Sequence, residues 1–116
     1  MSQPYDLEER TFEFAKAVRA FVRRVTKDVP NIEDCKQVVR SSGSVAANYI
    51  EANEALSKKD FLMRVKICRK EAKESRLWLR LIQVEGIEDE RARLEQEAKE
   101  LTRIFGAIVT KSEDGT

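Results

Sequence analysis

A chain of 116 residues with 37% charged and 41% hydrophobic side chains, but only 4 glycines and 2 prolines, fits one soluble domain of amphipathic helices. That balance excludes a disordered chain, which lacks the apolar share, and a sheet sandwich, which needs many turns. The net charge of +1 exerts no global pull on nucleic acid, and no apolar run approaches the about 20 residues of a membrane span.

The N-terminal stretch "MSQPYDLEERTF" lacks the charged-then-apolar layout of a signal peptide. A cytoplasmic location with no membrane contact is therefore expected. Cys35 and Cys68 are too few for a disulfide scaffold and read as reduced residues of the core or its boundary.

Leu7, Thr11, Phe14, Val18, Phe21 and Val25 recur at alternating steps of four and three, one continuous helical stripe that Ala15 and Val22 widen. Phe12 falls outside it. A first helix over about 6–27 follows, ended by "KDVPN", in which Pro30 disfavours helical geometry at Val29. Asn31 is the expected N-cap of a second helix, about 31–55.

That second helix contains "RSSGSVAANYIEANEA", in which six of the seven residues from Ser41 to Ala47 are small. Its stripe is Val38, Ser42, Val45, Tyr49, Ala52 and Leu56, and the helical phase runs unbroken through serine and glycine. A phosphate-binding loop would need glycines at fixed places followed by lysine, and only Gly43 is there. Three serines and a glycine cost about 2–3 kcal/mol of helix propensity. Close packing of a neighbouring backbone is the physical compensation. Arg40, Ser44, Asn48 and Glu51 form a second, polar line beside the stripe. It is either a solvated face or a hydrogen-bonded seam to a neighbouring helix or subunit.

Ser57 followed by Asp60 has capping-box spacing and opens a third helix, about 58–85. Phe61, Val65, Cys68, Ala72, Leu79 and Ile82 share its core arc, whereas Met63, Ile67, Trp78 and Leu81 form a second apolar arc about 135° away. One bundle core needs one arc. The second is either a subunit interface anchored by Trp78, with Asp60, Glu71 and Glu74 alongside, or the flank of a broad core stripe. Gly86 is the expected stop. A fourth helix, about 88–111, carries Leu94, Ala98, Leu101, Phe105 and Ile108 at the same spacing. Four helices with short connections make a single all-α domain over 1–116, an antiparallel up-down-up-down four-helix bundle.

The third helix also concentrates the charge. Residues 1–57 carry 8 basic and 9 acidic side chains, residues 58–80 carry 9 and 3, and residues 81–116 carry 5 and 9. Lys58, Lys59, Lys66, Arg69, Lys70, Lys73, Arg76 and Arg80 fall within about 120° of arc, a candidate nucleic-acid-binding stripe. No aromatic side chain interleaves with it, so contacts would follow phosphate charge and shape rather than sequence. The bland alternative is pairing with the acidic fourth helix, where Glu88, Glu90, Glu95, Glu97 and Glu100 stand ready. Catalysis has little to work with. Histidine is absent, the two cysteines have no CxxC spacing, and a Glu-x-x-His di-iron motif is impossible, so no catalytic residue, metal or cofactor is expected.

The run "VVRSSGSVAANYIEANEALSKKDF", continued by "KEAKESRLWLRLI", resembles the bacterial four-helix-bundle proteins associated with intervening sequences in 23S ribosomal RNA genes. The likeness covers residues 7 to 110, and the small-residue block, Asn48, Glu51 and "SKKDF" are its most specific part. It implies a bundle assembled into a ring-shaped homopentamer. It also implies kinship with the accessory protein of diversity-generating retroelements, a basic pentamer that binds nucleic acid and a reverse transcriptase. This chain differs from that relative in its near-neutral charge. The expected role is therefore a self-associating scaffold or binding protein, with structured RNA, ribosomal or other, as the alternative partner.

Overall fold

The structure, a computed structural model, describes residues 6–114. Four helices follow one another: α1 (Leu7–Val22), α2 (Val29–Asn53), α3 (Lys58–Leu81) and α4 (Glu88–Asp114), with no strand among the described residues. Neighbours in sequence pack side by side and α1 also meets α4, which is the up-down-up-down bundle. Across the diagonal, the Tyr49 ring of α2 reaches the Phe105 ring of α4, 5.8 Å between centroids. The predicted stripes point inward. Val18, Phe21, Val38, Val45, Val65, Leu79, Leu101 and Phe105 are fully buried at its centre.

Three helix starts are capped by side chains that take up free backbone donors. Asp6 accepts from Glu9 N at 3.1 Å, Asp28 from Asn31 N at 2.9 Å and Ser57 from Asp60 N at 3.0 Å. Asp28, not Asn31, therefore caps α2, and Pro30 lies in its first turn, where a missing N–H costs nothing.

The ends of α1 and α3 lie earlier than periodicity predicts, for tertiary reasons. Beyond Val22 the chain tightens through Arg24 N to Phe21 O and Val25 N to Val22 O. The Lys27 ammonium then donates to Val22 O and Val25 O, closing carbonyls that a further helical turn would have used. Asn31, buried at 3% exposure, acts as a clamp. Its Nδ2 donates to Thr26 O (3.1 Å) and Gln83 O (2.9 Å), and its Oδ1 accepts from Gln83 N (3.1 Å). That grip holds Gln83 outside α3, so Ile82 turns extended and delivers its side chain to the core. Gly86 supplies the positive φ of 83° in the following loop rather than ending the helix. Leu56 was expected on the α2 stripe. It lies beyond the helix end and is 99% exposed.

α1 and α4 pack most sparsely of the four neighbouring pairs, and ion pairs bridge them near both ends. Arg10 forks onto Glu97 with two contacts of 2.8 Å and reaches Glu100 at 3.1 Å, while Arg24 pairs with Glu90.

Candidate interaction surfaces

The thin stretch of α2 lies against two neighbours. Ser41 and Ser75, both fully buried, bring their Oγ atoms to 2.7 Å across the α2–α3 interface. Ser75 donates onward to Glu71 O at 2.9 Å, which leaves Ser41 as donor to Ser75. One turn along, the Cys68 thiol points at Val45 O, 3.5 Å away. On the other side, a Cβ at Gly43 would stand 3.1 Å from the Arg19 guanidinium. Missing side-chain bulk on α2 thus becomes closeness to α3 and room for Arg19.

Three of the four polar-line residues engage their surroundings. Arg40 reaches Glu71 at 3.5 Å and Glu74 at 3.6 Å on α3. Asn48 donates to Ser44 O and Ser44 Oγ, both at 3.0 Å, and accepts from Arg64 at 3.0 Å. Glu51 is exposed and has no side-chain partner among the described residues. Glu71, expected beside the outward apolar arc, is instead buried against α2 beneath Arg40.

Of the eight stripe cations, two are engaged by α4: Lys66 with Glu113 at 3.2 Å and Arg76 with Glu95 at 3.3 Å. Lys70 stands 3.9 Å from Glu71, and the Arg69 side chain lies over Gly106 of α4. Lys58, Lys59, Arg69, Lys73 and Arg80 have no ion pair among the described residues. The other acids that the fourth helix offers are largely spoken for, since Glu90, Glu97 and Glu100 turn to α1.

The second apolar arc divides. Met63 (46% exposed) and Leu81 (50%) face outward, and Ile67 is half-buried. Trp78 is half-buried and packs on the core, its Nε1 buried without a hydrogen-bond partner among the described residues. Leu77, 44% exposed, joins the outward set, although sequence reasoning assigned it to neither arc. At 100° per residue it projects onto the same line as Lys59, inside the charged stripe. The signal that finds it is spacing: Met63, Ile67, Lys70, Glu74, Leu77 and Leu81 step by four and three along the outer face of α3. Basic and apolar side chains consequently line the same shallow grooves, Lys58, Lys59 and Lys66 with Met63 and Ile67, then Lys70, Lys73 and Arg80 with Leu77.

Both thiols are held protonated at neutral pH. Burial pushes Cys68 up to about 12 and Cys35 upward as well. Among the described residues no group of three His, Cys, Asp or Glu side chains could hold a metal ion, and no helix is long and apolar enough to cross a membrane.

The fold and its surface define a small four-helix-bundle protein with a mixed basic and apolar outer face on α3. The chain belongs to the 23S rRNA-intervening sequence protein family, whose sequence profile matches residues 5–107. The fold is similar to that of a solved Bacteroides thetaiotaomicron protein of unknown function from the S23 ribosomal protein family. The two share 25% identity and a TM-score of 0.72 over 88% of this chain and 96% of that one. The comparison with curated proteins gives no match.

Proposed function

We propose that the chain is a non-enzymatic scaffold that works as a closed homo-oligomer, built through the outer face of α3. The observation that supports this reading is the outward seam of Met63, Ile67, Leu77 and Leu81, placed at coiled-coil spacing on a helix whose core arc is already full. Burying half of each of these side chains on a neighbouring copy contributes about 1 kcal/mol apiece. Five copies is the number that the family resemblance suggests. The test is solution mass by light scattering for the native chain and for Leu77→Glu/Leu81→Glu, both surface changes that leave the core intact. A native mass above 13.4 kDa that falls to one protomer in the variant supports the reading. A mass that the variant leaves unchanged refutes it.

Structured RNA is the second reading, favoured by the five stripe cations without acidic partners and consistent with the ribosomal RNA setting in the family's name. Five phosphate contacts give a salt slope of about −4, so affinity drops about 250-fold between 50 and 200 mM salt. Titration of a structured RNA at those two salts, with Lys73→Glu/Arg80→Glu alongside, tests it. Salt-indifferent binding, or binding that the variant retains in full, counts against an RNA role for this face.

A further inference from the structure

A groove on the outer side of the α1–α2 pair belongs to neither of these surfaces. Val22, Ile32, Cys35 and Val39 make its floor, and Arg19, Lys27, Lys36 and Arg40 stand around it, with no carboxylate in the lining. Two of those cations are already answered, Arg40 by Glu71 and Glu74 and Lys36 by Glu33 at 3.7 Å.

The other two are not. Arg19 donates from Nη1 to Ala15 O (3.0 Å) and from Nη2 to Val39 O (3.3 Å), and Lys27 donates to Val22 O (3.1 Å) and Val25 O (2.8 Å). These main-chain carbonyls solvate the charges but do not neutralise them, and neither residue has an ion pair among the described residues. Arg19 is half-buried, and its guanidinium has five N–H donors, more than those two bonds use. Unneutralised positive charge over an apolar floor favours an anion with an apolar body.

Size narrows the occupant. The floor and its rim run from Ile32 to Arg40, about 12 Å of helix. A stable protein partner needs about 800 Å² on each side, far more than two helical turns offer. We propose that this groove binds a small carboxylate with a medium-length acyl body, its head on Arg19 and its chain along Val22, Ile32, Cys35 and Val39. Burial that raises the Cys35 thiol is in keeping with a floor poor in water.

Calorimetric titration of the full chain with decanoate, decanol and acetate tests it. One saturable decanoate site per chain is expected, with decanol and acetate at least ten-fold weaker. Arg19→Met lowers decanoate affinity at least ten-fold, Ile32→Glu abolishes binding, and Lys111→Met leaves it unchanged. Should Arg19→Met fail to fold, Ile32→Glu at an exposed position carries the same test. Alkylation of an Ile32→Cys variant by N-ethylmaleimide at that exposed position, slowed by decanoate but not by acetate, places the ligand in the groove. Equal binding of decanol and decanoate overturns the proposal, as does decanoate binding that both variants retain. Absence of decanoate binding overturns it too, and a lower solution mass for Ile32→Glu then assigns the groove to a second copy of the chain.

Discussion

Replacing Asn31 with alanine removes a side chain that touches both loops at one end of the bundle. Three hydrogen bonds disappear, from Nδ2 to Thr26 O and Gln83 O and from Gln83 N to Oδ1. Each is worth about 1 kcal/mol net, and a buried group left unpaired costs about 1–3. Thr26 and Gln83 lie in exposed loops, so water re-solvates part of what alanine abandons. The expected loss is about 2–3 kcal/mol. Urea unfolding measures it directly: with a slope of about 1.5 kcal/mol/M, the midpoint falls by about 1.3–2 M while the slope stays constant. Gln83→Ala is the matched control, because Asn31 holds only the main chain of residue 83, and its midpoint should move by less than about 0.3 M. An Asn31→Ala loss below about 0.5 kcal/mol, or a Gln83→Ala loss equal to it, would refute the clamp.

Ser75→Ala strands the buried Ser41 hydroxyl and should cost about 1–2 kcal/mol. Adding Ser41→Ala should cost less than the sum of the single changes, and strict additivity in that cycle would mean that the 2.7 Å contact carries no coupling. Gly43→Ala meets only the far end of the Arg19 side chain at 3.1 Å, so the gain in helix propensity should win by up to about 1 kcal/mol. A destabilised Gly43→Ala protein would show instead that Arg19 is rigidly held. The Cys68 thiol, raised from 9.0 to about 12 by burial, favours the folded state while protonated. Its stabilising share is complete below pH 9 and drains away as pH climbs toward 12, so Cys68→Ala should show a shallower alkaline loss of stability than the native chain. Identical alkaline profiles would exclude Cys68 as the cause.

The helical stripes were readable in sequence because alternation by four and three survives through any side chain, serine and glycine included. Val38, Ser42, Val45 and Ala52 are buried as that phase requires. Helix ends were less legible, since they depend on partners remote in sequence. Lys27 folds back onto α1, and Asn31 draws Gln83, 52 positions away, out of α3. Angular projection alone also cannot rank charge against bulk. It passes over Leu77, which projects into the basic stripe, and sends Glu71 to the outer face, whereas Arg40 on α2 accounts for the burial of Glu71. Trp78 resembled an exposed anchor because its arc is apolar, and its size lets it reach back onto the core.

Met63 offers the most direct probe of whether the outer face of α3 is covered in solution. It is the only methionine besides Met1, and it is 46% exposed on the single chain. Peroxide oxidation of Met63, followed by peptide mass at rising protein concentration, should slow at least ten-fold as copies associate and should stay fast in Leu77→Glu/Leu81→Glu. Oxidation at one constant rate from dilute to concentrated protein would contradict self-association through this face.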